Sequence, residues 1–252
     1  MRRWWMAVVV LGVALFGGLG YALPRGGLQG FDTAVSSYVI GLRHPLVTPL
    51  MIGVTYLGVP IGITVVTLVL AIILSFVYHL PSGRRLGWQA WVFLTLALLG
   101  SWQLEERTKV IFHRPRPPAP LFPAGGYSFP SGHATVTIAV IGMAAYLLWY
   151  ASAALTDRGA AYRRSRIATR YTDAWGTSGG YRYTGKGAQT ATARRLLRAL
   201  TVAVAVLLVF LVGVSRVYLA DHYPSDVLAG WGLGGAWLGV VVLLHQATAA
   251  RR

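Results

Sequence analysis

Apolar stretches of near-membrane length recur along the chain, separated by short polar segments, and six of them approach the roughly 20 residues that a helix needs to cross hydrocarbon. They run approximately from Trp4 to Tyr21, Thr48 to Tyr78, Trp88 to Leu104, His133 to Tyr150, Ala199 to Ser215 and Val227 to Leu244. The pattern predicts an all-α, polytopic membrane protein of six transmembrane helices, forming one membrane-embedded domain over residues 1–252. The second run is overlong and carries Pro49 and Pro60, so it is expected to tilt, kink or begin outside the bilayer. Between the first two runs, Phe31, Val35, Tyr38, Val39 and Leu42 recur at helical spacing beside Asp32 and Arg43. Either a short helix on the membrane surface or an ordinary loop satisfies that pattern. Arg2 and Arg3 before an apolar run, with Gly20-Tyr21-Ala22 after it, loosely fit a cleaved secretory signal; a retained first helix is the expectation.

Composition agrees with a lipid solvent. Of the 252 residues 55% are hydrophobic and 12% charged, and the mean hydropathy is +0.56. A formal charge of +16 raises nucleic acid as a partner, but a basic nucleic-acid binder does not interleave its charges with long uncharged apolar runs. The charge bears instead on orientation, because cytoplasmic loops carry the excess of Lys and Arg. On the side of the N-terminus there are sixteen, ten of them from Arg158 to Arg198, against seven on the other side. Both termini are therefore expected in the cytoplasm. The segment 156–198, rich in Arg, Tyr, Thr, Gly and Ser, reads as an Arg-rich cytoplasmic loop between the fourth and fifth helices, setting orientation and touching anionic headgroups. The absence of cysteine excludes disulfides, iron–sulfur clusters and thiolate zinc sites.

The outer side is poor in charge except in three segments: KVIFHRPRP from Lys109 to Pro117, FPSGH from Phe129 to His133, and SRVYLADHYPSD from Ser215 to Asp226. Ionisable groups at membrane depth are expensive, so such a cluster at three helix ends marks a functional site. The segments resemble the signature of the type 2 phosphatidic acid phosphatase superfamily. Lys109 with Arg116-Pro117 fits its first motif, Pro130-Ser131-Gly132-His133 its second, and Ser215-Arg216, His222 and Asp226 its third. Eleven fixed positions agree in order and spacing, and the six-helix layout agrees as well; segment 156–198 lies outside the resemblance.

The residues themselves suit a phosphate. Lys109 offers a point charge, and Arg116 and Arg216 offer planar forks that grip two oxygens each. Ser131 and Gly132 precede an apolar helix, whose free N–H groups and dipole favour an anion. Displacement at phosphorus needs a nucleophile on one side and a proton donor on the other, roles that His222 and His133 fit. Asp226, four residues after His222, shares a helical face with it if the sixth helix has begun, and is expected to fix the imidazole tautomer. His133 then protonates the leaving oxygen. The resemblance implies the same assignment, with a phosphohistidine intermediate. A metal at His133, His222, Asp221 and Asp226 is disfavoured by the three nearby cations, and the family works without one, so neither metal nor cofactor is expected.

His113 and Arg114 fall at positions that the motif leaves free, suiting either the site entrance or plain exposure. Asp221 suggests a local hydrogen bond, and Glu105 and Glu106 suggest pairing with Arg107 or Lys109. Gly230 with Gly234, and Gly235 with Gly239, suit close helix packing. The resemblance implies a lipid substrate reached from the membrane at the outer face: undecaprenyl pyrophosphate first, then phosphatidic acid or phosphatidylglycerol phosphate, with broad specificity over phosphatidic acid and diacylglycerol pyrophosphate as the alternative. Two rivals remain. A vanadate haloperoxidase would use the same anion hole, although such proteins are soluble and longer; a non-catalytic headgroup-binding or transport protein would need the cations alone. The sequence leaves the oligomeric state open.

Overall fold

The computed structural model describes residues 2–82, 87–122, 125–172 and 186–250. Among them every long regular element is helical: α1 (Arg2–Ala22), α2 (Gln29–Gly41), α3 (Val47–Thr55), α4 (Pro60–Ser82), α5 (Gly87–Phe112), α6 (Gly132–Thr172), α7 (Lys186–Tyr218) and α8 (Pro224–Ala250). Each of the six apolar runs is helical, the second with a four-residue break. Among the described residues four helices, α1, α6, α7 and α8, are long and apolar enough to cross a membrane, and α3 with α4 make a fifth candidate if the bent pair counts as one span. The helix at the third run, α5, is long, yet its polar end (Gln103, Glu105, Glu106, Arg107) dilutes its apolarity.

The kink expected in the second run is a break. Residues 56–59 separate α3 from α4, and the two helices meet at 68°. Pro60 opens α4, where a missing N–H costs nothing. Helix α2 takes the helical alternative, and it turns Asp32 inward while Phe31 and Tyr38 stay exposed. In the region read as a loop, α6 continues to Thr172 and α7 starts at Lys186; residues 173–185 lie outside the described part. Low aliphatic content made this segment look irregular, but Ala and Arg are good helix formers and the stretch to Thr172 contains no proline.

Helix α8 is central, packed along α1 and α6 and touching α5. Gly230 and Gly234 sit against the first turn of α6, and Gly239 against α1, so three of the four singled-out glycines allow close approach; Gly235 meets only Ile138 at an ordinary distance. The largest apolar cluster joins Phe93, Leu94 and Ala97 of α5, Met143 and Leu147 of α6, and Val241 and Val242 of α8. His245 is fully buried beside Tyr146 and Phe93, with Nδ1 3.1 Å from the Tyr146 hydroxyl. The ends of α5 and α7 and the starts of α6 and α8 converge on one side of this bundle.

Candidate active site

Three chain segments build the site. Helix α5 presents Lys109 in its last turn, and left-handed His113 (φ 48°) swings the chain outward to Arg114 and Arg116. The chain then returns to α6, with the Ser128 amide donating to the Arg114 carbonyl (2.8 Å) and the Ser128 hydroxyl to that of Pro115 (3.0 Å). At the third corner, Arg216 ends α7 and a turn through left-handed Ala220 (φ 56°) delivers Asp221 and His222 before α8 begins. The Ser131 amide donates to the Asp226 carbonyl (2.9 Å), tying the starts of α6 and α8 together.

Six of the eight residues singled out from the sequence, Lys109, Arg116, Gly132, His133, Arg216 and His222, line one cavity of about 550 Å³. Ser131 and Asp226 are fully buried outside that lining. The cationic and imidazole side chains share this lining with Glu105 and Glu106 and with apolar residues of α4 and α5, namely Ile61, Val65, Leu98, Leu99 and Trp102. The broken second span reaches the same place: Thr55 accepts from Arg216, and Gly58 packs so close to the His133 ring that a Cβ there would lie 2.6 Å from Cδ2.

His222 is held at both ring nitrogens. Nδ1 lies 2.8 Å from the Ser128 carbonyl oxygen, which can only accept, so Nδ1 carries the proton and Nε2 keeps a lone pair. That lone pair faces the Arg116 guanidinium at 3.0 Å. Asp226 therefore does not do what its spacing suggested. Its Oδ2 is 3.6 Å from Nδ1, beyond hydrogen-bond length, and accepts instead from the Tyr223 amide (2.9 Å), while Oδ1 accepts from Arg114 (2.5 Å). The backbone carbonyl fixes the tautomer, and Asp226 instead anchors Arg114 and the Tyr223 amide beside the ring. Burial holds the His222 imidazole well below the ordinary histidine range, and the Arg216 and Arg116 guanidiniums push it the same way. His222 thus stays neutral near pH 7, as a nucleophile or base requires.

His133 stands one residue into α6 with its Nε2 buried and without a hydrogen-bond partner, and the Ser131 hydroxyl is likewise unpartnered. Lys109 pairs with Glu105 and, at 3.9 Å, with Glu106, as the spacing suggested. Arg216 is fully buried and bonds to Asp221 and Thr55. Among the described residues no group of three or more His, Cys, Asp and Glu is arranged to hold a metal ion.

Sequence reasoning left Arg114 undecided and passed over Asp32. Arg114 is mostly buried, donating to Asp226, to the Ser225 hydroxyl (2.8 Å) and to Asp32 (2.6 Å), with its guanidinium 4.0 Å over the Tyr223 ring. Asp32 also accepts from the Ser225 amide (2.9 Å) and hydroxyl (2.6 Å). The one available signal was that Asp32 is the only charged residue of α2.

The three motifs thus bring three cations and two imidazoles to one cavity, and α4 and α5 supply its apolar lining. The sequence model of the PAP2 superfamily matches residues 66–249, which takes in all three. The chain belongs to the PAP2 superfamily. Phosphatidylglycerophosphatase B of Bacillus subtilis (strain 168) is 25% identical over 219 residues, covering 86% of this chain and 84% of that protein. The crystal structure of a transmembrane PAP2 type phosphatidylglycerolphosphate phosphatase from Bacillus subtilis matches at a TM-score of 0.68 and 23% identity, covering 94% of this chain and 96% of that one. This PAP2 chain therefore shares the fold of a transmembrane relative, and with its several apolar helices it is a multi-pass membrane protein.

Proposed function

We propose that the protein is a metal-independent phosphatase that removes the terminal phosphate of a membrane lipid through a phosphohistidine. The observation that carries this reading is the composition of the cavity: its lining joins Arg116, Arg216 and Lys109, the last beside Glu105 and Glu106, to apolar side chains of α4 and α5. A charged headgroup and its hydrocarbon tail require those two surfaces in contact. In the first step the Nε2 lone pair of His222 attacks phosphorus, the bond from phosphorus to the lipid oxygen breaks, and His133 gives that oxygen a proton. In the second, water attacks the phosphohistidine, His133 takes the water proton, and inorganic phosphate leaves with His222 restored. The three cations stabilise the charge on the phosphoryl oxygens, so no metal is needed for that task.

Among substrates, phosphatidylglycerol phosphate stands first, because the relatives are named for it; undecaprenyl pyrophosphate and phosphatidic acid follow. With the six apolar runs taken as six spans, the excess of Lys and Arg on the N-terminal side supports cytoplasmic termini and a site at the outer face of a cell membrane. Phosphate release by purified protein in EDTA, over a panel of phosphatidylglycerol phosphate, phosphatidic acid, diacylglycerol pyrophosphate and undecaprenyl pyrophosphate, tests the function beside His222→Ala. Release unaffected by that substitution, or none from any lipid, would sink the reading.

A further inference from the structure

Asp221 takes no part in the steps above, yet among the described residues no side chain engages the anion-holding arginines more fully. It is completely buried, and its Oδ2 accepts from Arg216 and from Arg116 Nη1 (2.8 Å). Its backbone carbonyl accepts from the same Arg116 nitrogen (3.0 Å). The left-handed turn at Ala220 and the bond from the Asp221 amide to the Arg216 carbonyl (3.0 Å) aim the carboxylate back at these guanidiniums. Its Oδ1 is buried with no partner.

Oδ2 also lies 3.4 Å from His222 Nε2. A reacting phosphorus must come within roughly 3 to 3.5 Å of its nucleophile, so the carboxylate oxygen stands where the phosphoryl group must stand. It is not there as a partner of the imidazole. With Nδ1 protonated towards Ser128, Nε2 offers a lone pair, and a carboxylate oxygen cannot accept from a lone pair. What holds it in place is the pair of arginines, using N–H groups that a phosphate would also need.

We propose that Asp221 is an internal stand-in for a phosphate oxygen. It neutralises Arg116 and Arg216 while the hole is empty, is displaced by the substrate phosphoryl group, and returns as inorganic phosphate leaves. Two buried or nearly buried guanidiniums without a counter-charge would otherwise strain the empty site. The arrangement trades affinity for release: any anion entering the hole competes with a tethered carboxylate and, once bound, is repelled by it. The consequence for turnover rests on the phosphatase reading; the exchange itself is a matter of binding alone.

The test uses the full chain in detergent micelles, with inorganic phosphate as the probe and two neutral replacements, Asp221→Asn and Asp221→Ser. Without phosphate both variants should unfold at lower temperature than the wild type, and adding phosphate should stabilise them more than it stabilises the wild type. Their dissociation constants for phosphate, by calorimetric titration, should fall by roughly tenfold. A carboxylate that merely props the arginines in position predicts the reverse, and phosphate binding unchanged or weaker in both variants overturns the proposal. So does failure of both variants to fold even in phosphate buffer, since a displaceable group must be replaceable by what displaces it. Tighter phosphate binding by variants of a protein that hydrolyses no lipid would uphold the stand-in and reject the phosphatase.

Discussion

Arg114 Nη2 lies 2.6 Å from Asp32 Oδ2, joining residues 82 apart in the chain, and the other arm of the same guanidinium holds Asp226. Through this one side chain the short helix α2 is tied to the start of α8, beside His222. Asp32 is 3% exposed and Arg114 12%, so neither charge is easily supported by water.

Removing one member should therefore cost more than a surface ion pair. Asp32→Ala leaves Arg114 with a single carboxylate and the Ser225 amide without its acceptor. The expected loss is about 3 kcal/mol of stability, typical of breaking a buried pair. Because Asp226 and His222 share the turn, phosphate release should also fall by at least roughly tenfold. Thermal unfolding in detergent and turnover of a phosphatidyl substrate measure the two effects. A variant as stable and active as the wild type would show that α2 is only an accessory to the site.

The pH dependence follows from the environment of His222. In the proposed mechanism attack needs the neutral imidazole, and burial with the Arg216 and Arg116 charges lowers its proton affinity relative to a free histidine. Activity should accordingly persist as pH falls through about 6.5, the ordinary histidine value, and decline only below it. The substrate's own second ionisation near pH 6 adds a step in the same region. The outcome that would overturn this in a kcat/KM profile is thus an acid limb centred at or above 6.5, which would require a histidine whose cationic form is not disfavoured by burial and these guanidiniums.

Close helix packing gives a third test. A Cβ on Gly230 would lie 2.6 Å from the Ser131 carbonyl oxygen and 2.9 Å from Ala134 Cβ, so α8 and the start of α6 must separate to admit it. Gly230→Ala should cost about 1 to 3 kcal/mol. It should also lower activity, because Ser131, Gly132 and His133 move with the helix start. Gly235→Ala, where the nearest atom is Ile138 Cδ1 at 3.8 Å, is the control expected to leave both unchanged.

Those contrasts show which parts of the site the sequence carries. Lys109, Arg116, Gly132, His133, Arg216 and His222 were legible because each stands at a fixed offset from a helix end, and six apolar runs brought those ends together. Pro60 likewise marked the break that brings Gly58 to His133. The Asp32–Arg114 bond was not legible, since nothing local in α2 says which distant cation its carboxylate meets. Nor was the role of the Ser128 carbonyl: backbone acceptors have no residue signature, so Asp226 was the natural candidate for fixing the imidazole. Asp221 was read as locally bonded because its neighbours in sequence were visible and Arg116, 105 residues away, was not.

The division of labour between the two histidines makes the sharpest kinetic prediction. His133 sits at the start of α6 with an unpartnered Nε2, lining the same cavity as His222. If it protonates the departing oxygen, its loss should matter in proportion to how badly that oxygen needs a proton. A lipid alkoxide is a poor leaving group, and general acid catalysis there is worth about 10² to 10⁴ in rate. A nitrophenolate leaves without help. His133→Ala should therefore lose two or more orders of magnitude, roughly, on a phosphatidyl substrate and far less in the first step on para-nitrophenyl phosphate, read as a burst of nitrophenol. After that burst the variant should stall, because in the proposed mechanism His133 is also the base that activates water against the phosphohistidine. His222→Ala should abolish both burst and turnover, since no phosphoryl acceptor remains. Equal losses on the two substrates for His133→Ala would assign that residue to binding rather than proton transfer.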